Sequence, residues 1–256
     1  MKKHVEPRGY DGDIYLYPIL QAGLPANYLG MFAEWSGKPV MTRSCHPVGL
    51  INACNPKEAA HDAHEVGMIF QPTWSTALWS ASAYAAAIAE ACRPESTLDS
   101  VIEVAREFAG EAVTEQIDIC MEIAANYDDP LSMRSEMNDH FARMVGPSTS
   151  GEELVAKGLA ISKMVNGDFR EAIVAGTNFG RDTDCLAAIA AGLCGAFTGI
   201  QTVPNDWLAQ VEEAEKDAPD TVSNRSCKKT ADGIYDAFKK EMARIETQIE
   251  QIKQAM

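Results

Sequence analysis

The sequence predicts an all-α protein, and three observations carry that prediction. Apolar–polar alternation, the mark of a half-buried strand, is scarce. Its best stretches, Pro39-Val40-Met41 and Gly49-Leu50-Ile51, are too short to seed a sheet. Apolar residues recur instead at helical spacing, most plainly over residues 74–92 and 228–255. Residues that cap helix N-termini (Asn, Ser, Thr, Asp) stand just ahead of several of these stretches.

Taken in order, Asn55-Pro56 caps and opens a helix through Ala59, Ala60, Ala63 and Val66. Residues 74–92 form an alanine-rich helix whose small side chains on every face imply close helix–helix packing. Thr97, with Asp99 and Ser100, starts another through Val101, Val104 and Phe108. Further helices are expected over residues 112–127, 131–144, 151–165, 169–176 and 182–198. Pro204-Asn205-Asp206-Trp207 begins one more, which runs through Glu212-Glu213. Residues 217–225 read as a polar, proline-containing linker. The last element, over residues 228–255, is a long amphipathic helix that gathers Ile234, Phe238, Met242, Ile245, Ile249 and Ile252 into a stripe expected to face the core. The expected organisation is a helical domain over 1–216, then a linker and C-terminal helix over 217–256 packed on the same domain. Periodicity leaves the oligomeric state open.

Composition bounds the function. At 256 residues, 46% hydrophobic and 23% charged, the chain has the makeup of a globular protein. A formal net charge of −15 excludes a broad basic face, so no nucleic-acid partner is expected. The seven cysteines show no disulfide framework and no C-x-x-C pair, which suits the cytoplasm. Cys45, Cys54, Cys92, Cys120 and Cys194 lie in apolar or alanine-rich surroundings and are expected to be small buried thiols. Charged residues follow Met1 with no apolar segment behind them, so no signal peptide is expected, and no run has the length of a membrane span.

The most informative stretch is Asn178-Phe179-Gly180-Arg181-Asp182-Thr183-Asp184-Cys185, which leads into a helix of alanine and glycine. Gly180 permits a tight turn, and Asp182 and Asp184 then lie in or beside the helix's first turn. One aspartate there is a cap; a second repels it unless a cation or donor compensates. The plain reading is a doubly acidic helix cap. The sharper one is half of a site for a hard divalent cation, which takes oxygen ligands.

This segment resembles the C-terminal metal motif of the ADP-ribosylglycohydrolases, an N-x-G-G/R-D-T-D-T/S sequence followed by an alanine- and glycine-rich helix. Asn178, Gly180, Arg181, Asp182, Thr183 and Asp184 match in order. Met41-Thr42-Arg43-Ser44-Cys45-His46-Pro47-Val48-Gly49-Leu50 resembles the family's M-R-x-x-P-x-G segment, and Tyr10-Asp11-Gly12-Asp13-Ile14-Tyr15 its N-terminal acidic motif. The chain is identified as a divergent member, similar to the dinitrogenase reductase-activating glycohydrolase type. The resemblance implies a compact orthogonal helical bundle holding one or two Mg²⁺ (or Mn²⁺) ions on Asp11, Asp13, Asp182 and Asp184, with Asp13 and Asp182 catalytic. It implies substrate contacts from Arg43, Pro47, Gly49, Asn178, Phe179, Gly180 and Arg181. Pro47 and Gly49 are expected to form a tight loop whose backbone N–H groups face a phosphate or ribose, with Arg43 facing a diphosphate. Phe179, Trp74, Trp79 and Tyr15 are available to stack on adenine, though most are expected in the core.

Three departures from the family pattern stand out. Gly12 and Ile14 replace ligand-bearing residues in the first motif, and the glycine- and alanine-rich helix that usually precedes that motif has no counterpart. Cys185 replaces a hydroxyl, and a thiol suits softer ions than Mg²⁺. Phe70-Gln71-Pro72-Thr73 stands where a Thr-His pair is common, so no cleft histidine is expected there. His61 and His64 read as exposed helix residues. The implied function is hydrolysis of the glycosidic bond of an ADP-ribosyl or related ribosyl group. The alternatives are a catalytically silent homologue that binds a nucleotide or a protein, and a hydrolase of a small ribosylated metabolite or nucleoside.

Overall fold

The computed structural model describes residues 16–33, 37–145, 149–216 and 225–256. The acidic segment 10–15, with Asp11, Asp13 and Tyr15, lies outside the described residues, as does most of the linker expected over 217–225.

Among the described residues every regular element is helical, as the pattern predicts. A short helix α1 (Leu16–Gln21) is followed by a 3₁₀ segment (Ala26–Phe32), a 3₁₀ turn (Thr42–Ser44) and α2 (His46–Ile51). Then come α3 (Pro56–Gly67), α4 (Thr76–Ala91), α5 (Leu98–Ala109), α6 (Glu111–Ala124) and α7 (Arg134–Val145). The second half holds α8 (Gly151–Met164), α9 (Phe169–Asn178), α10 (Thr183–Thr198), α11 (Asn205–Lys216) and α12 (Cys227–Ala255).

The starts of these helices follow from local chemistry. Asn55, Ser75, Thr97, Ser150, Asp168 and Ser226 each accept a hydrogen bond from a first-turn N–H, satisfying a donor the helix cannot. Thr97 and Ser100 bond reciprocally, so both ends of a capping box are closed.

Helices α4, α8 and α10 form the centre, and their small residues decide how they meet. Nearly all of α4 is buried, with α2, α3, α5, α8 and α10 packed around it. At Gly158 of α8 an added Cβ would lie 2.5 Å from Ile189, and at Gly176 of α9 another would lie 2.5 Å from the Ala187 backbone. Backbones this close admit no side chain, so α10 is seated against α8 and α9 at fixed positions.

Four expectations change. Residues 49–51 belong to α2, and Gly49 with Pro47 forms a helix rather than a phosphate-facing loop: Pro47 sits in the first turn, while the Gly49 N–H donates to the Cys45 carbonyl at 3.1 Å. Gly49 is buried because α2 lies directly on α4. Cys54 is exposed and Cys92 half-buried, because Cys54 follows the end of α2 in a left-handed turn (φ 66°) at the surface. Cys45, Cys120 and Cys194 are buried, and burial pushes their thiols up to about 12, 12 and 11. Finally, no residue of α12 is buried: the helix touches α2, while Met242, Ile249 and Ile252 of the apolar stripe stay largely exposed.

No helix among the described residues is long and apolar enough to cross a membrane.

At Gly49 an added Cβ would lie 2.6 Å from the Ile88 Cβ and 2.8 Å from the Ala85 carbonyl oxygen. Gly49→Ala should therefore destabilise the protein by about 1–3 kcal/mol through overpacking, measured by urea unfolding. A wild-type midpoint would show that α2 is not held on α4 this tightly.

Candidate functional site

The site begins with the turn that joins α9 to α10. Gly180 (φ 95°) and Arg181 (φ 61°) are both left-handed, the second at a cost because arginine carries a Cβ. The turn is pinned from outside. Arg134 donates to the Asn178 carbonyl at 3.1 Å, and Asn138 donates to the Phe179 carbonyl at 2.8 Å. Arg181 makes a two-pronged ion pair with Glu153, Nε to Oε1 at 2.6 Å and an Nη to Oε2 at 3.0 Å.

Glu153 is the centre of a buried polar cluster. Lys157, one turn further along α8, meets it at 2.5 Å and also donates to the Asn138 side chain at 2.7 Å. The Glu153 and Lys157 side chains are 2% and 1% exposed, so both charges depend on their partners for compensation. The Lys157 ammonium also lies over the rings of Phe141 and Phe179. Burial pulls its pKa down, against the opposing attraction of Glu153.

Above this cluster, Asp182 is the residue before α10 and Asp184 lies in its first turn. Asp182 stands at the cap position, and the Cys185 backbone N–H in the first turn favours its charged form. One ligand atom each from Asp182, Asp184 and Cys185 lies within 4.8 Å of the others. Partial burial and the Asp184 carboxylate raise the pKa of Asp182. The hydrogen bond from Asp182 lowers that of Asp184. The opposite shifts reflect two carboxylates set close together, each feeling the other's charge. Burial raises the Cys185 thiol to about 11, which keeps it neutral, and Arg43 reaches its sulfur at 3.8 Å. By donor hardness the two carboxylates fit a hard divalent cation, whereas the thiol suits softer ions.

Arg43 comes from the 3₁₀ turn Thr42–Ser44, where the buried Thr42 hydroxyl donates to the Ala77 carbonyl at 3.0 Å. That turn brings its charge near Asp184. Gln71, in the place of the absent histidine, is fully buried; it accepts from the Met41 N–H at 3.4 Å and donates to the Lys38 carbonyl at 2.6 Å. It holds the segment ahead of Arg43 and does not line a cleft.

Of the residues expected to contact substrate, Phe179 is fully buried and cannot stack on a base, because its ring completes the core beneath Lys157. Gly49 is buried under α4, and Pro47 is exposed at the start of α2. Asn178 is exposed, with its side chain bonded to the Val174 carbonyl at 2.8 Å. Trp74 and Trp79 lie largely outside the core, at 65% and 43% exposure. His61 is exposed, while His64 lies edge-on to Trp79 with ring centroids 5.2 Å apart.

Sequence reasoning missed Glu153, Lys157, Asn138 and His46. Glu153 and Lys157 stand four apart on a helix that is otherwise apolar and small through its middle, a signal that was present in the pattern. His46 gave no such signal. Its ring nitrogen lies 3.1 Å from the Ala188 carbonyl oxygen, one turn beyond Asp184, and its edge meets Tyr84 at 5.0 Å. The Tyr84 hydroxyl donates to the Ile189 carbonyl at 2.7 Å, so both residues tie α10 to its neighbours.

A family model described as ADP-ribosylglycohydrolase matches residues 22–243. Among curated proteins, "Uncharacterized protein YegU" of Escherichia coli (strain K12) is 28% identical over 211 residues, covering 73% of this chain. The chain spans 61% of that relative's length, less than two thirds of it. No solved structure matches.

Two predictions follow from this geometry. Glu153→Gln leaves Arg181 and Lys157 short of a counter-charge in the interior and should cost about 3–5 kcal/mol, measured by denaturant unfolding. A loss below about 1 kcal/mol would show that water reaches the cluster. For His46, burial holds the folded pKa below the ordinary 6.5, so on acidification the unfolded chain takes up its proton first. Stability should fall as pH drops through 6.5, and His46→Gln should flatten that fall relative to wild type when unfolding free energy is followed from pH 7 to about pH 5. Identical slopes would show that His46 titrates normally in the fold.

Proposed function

We propose that this chain, which belongs to the ADP-ribosylglycohydrolase family, hydrolyses the glycosidic bond of an ADP-ribosyl or related ribosyl group with the help of a divalent cation. The observation that carries this reading is the pair Asp182 and Asp184, brought together with Cys185 at the start of α10. Oxygen donors of this kind suit Mg²⁺ or Mn²⁺, one or two ions, with Asp11 and Asp13 completing the set from the N-terminal segment. When bound, such an ion neutralises the acidic pair and acidifies a water it holds.

The chain's own residues supply the rest. Asp182, its pKa raised by burial and by Asp184, is suited to accept a proton from the attacking water; Asp13 is its proposed catalytic companion. Cleavage at the anomeric carbon then passes through an oxocarbenium-like transition state that nearby carboxylates stabilise. Arg43, beside Asp184, offers a positive charge to the diphosphate of the substrate. Asn178, Gly180 and Arg181 shape the wall of the site, Arg181 through its backbone. The likeness to the dinitrogenase reductase-activating type is part of this proposal and goes beyond the family match. The free cysteines suit a reducing compartment, the cytoplasm.

Asp182→Asn and Asp184→Asn should each lower turnover of ADP-ribosylated peptide by at least about 100-fold while the protein stays folded. Millimolar ADP-ribose with Mg²⁺ should raise the unfolding midpoint by about ten degrees, and EDTA should abolish the shift. Turnover undiminished in both variants would sink the reading. A shift without turnover would favour a nucleotide-binding homologue, and turnover confined to nucleosides would favour a small ribosylated substrate.

A further inference from the structure

We infer that the ion pair between Arg181 and Glu153 is a latch that sets the direction of Asp182 and Asp184, so that Glu153 and Arg181 act as positioning residues for the acidic pair. The inference rests on the reading of that pair as a cation site.

Arg181 directly precedes Asp182 and has φ 61°, a region that a residue with a Cβ adopts only when something holds it there. Glycine would adopt it freely, and Gly180 alongside does so at φ 95°. What holds Arg181 is its side chain. The planar guanidinium meets both oxygens of a carboxylate that is 2% exposed, and this two-point contact fixes orientation as well as distance. Glu153 is itself held by Lys157 from the same helix, and Lys157 by Asn138, whose amide also holds the Phe179 carbonyl. The turn is thereby gripped on both sides of Gly180, by Asn138 before it and by Glu153 after it.

The consequence reaches the carboxylates through the main chain. The Arg181 carbonyl accepts from the Thr183 N–H at 3.2 Å, and the Asp182 carbonyl accepts from the Leu186 N–H at 3.1 Å as the first turn of α10 forms. If residue 181 leaves the left-handed region, the peptide that carries Asp182 rotates, and the two carboxylates no longer converge. A substrate-binding arginine would point its charge outward. This one sets its guanidinium on the buried Glu153 carboxylate, and through that contact its effect on the site is geometric.

The test separates the guanidinium's charge from the backbone conformation it enforces. Arg181→Ala removes the latch and keeps the steric cost of the left-handed turn, whereas Arg181→Gly removes both. The full-length variants are titrated with Mn²⁺ and followed by electron paramagnetic resonance, and hydrogen exchange of the Thr183 and Leu186 amides is measured without metal. Arg181→Ala is expected to bind Mn²⁺ at least tenfold more weakly and to exchange those amides at least tenfold faster. Arg181→Gly is expected to recover both to within about threefold of wild type, an outcome that loss of a merely stabilising ion pair would not give. Folded Arg181→Ala with wild-type exchange would overturn the latch. So would Arg181→Gly exchanging as fast as Arg181→Ala, since charge alone would then explain both. If wild-type protein binds no Mn²⁺, the cation reading fails, and the amide exchange still decides the latch by itself.

Discussion

The buried carboxylate of Glu153 is the constraint on which the site depends. A charge at that depth is tolerated only with compensation, and here two cations share it, one from its own helix and one from the turn before α10. This places unlike demands on three elements. Helix α8 must present Glu153 and Lys157 on one face, α7 must bring Asn138 to Lys157, and the turn must accept an arginine in a conformation that favours glycine. Each is individually unfavourable, and together they leave one arrangement in which every charge has a partner. Replacing the whole cluster by apolar residues of similar volume would sacrifice little stability by this logic; what the cluster supplies is a direction for the chain at Asp182.

Close packing makes that direction matter. Helix α10 carries the acidic pair at its start, and its body is wedged between α8, α9 and α4 through glycine and alanine contacts that leave no room to slide. Tyr84 and His46 add hydrogen bonds to its backbone carbonyls at Ile189 and Ala188. The helix is therefore a rigid mount, and the turn ahead of it is the part of the site where a local conformation can still alter the geometry.

The electrostatics of the mount are deliberately unbalanced. Asp182 and Asp184 lie close enough to act on each other's charge, and the charge of Arg43 also reaches Asp184. The thiol of Cys185 stands in a position where a hydroxyl is usual in the family, and thiols suit softer ions than the two carboxylates do. Two carboxylates arranged in this way are the oxygen donors on which the proposed cation site rests.

Much of this was legible in the chain. Helical spacing, alanine-rich stretches and capping residues are local properties, so the all-α class and most helix starts follow from the sequence, and Asp182 and Asp184 are marked by their own spacing beside Gly180. Other features depend on what lies across the fold, where the sequence is silent. Gly49 reads as a turn residue, but proximity to Ile88 makes it a packing contact. Phe179 reads as a stacking surface, but the surrounding helices bury it. Arg181 reads as a hand extended to substrate until Glu153, twenty-eight positions earlier, is seen to hold it. The sequence by itself determined which segments are helical and which residue types stand at the site. Only the tertiary structure decided which way those side chains face, because burial and charge compensation are set by neighbours distant along the chain.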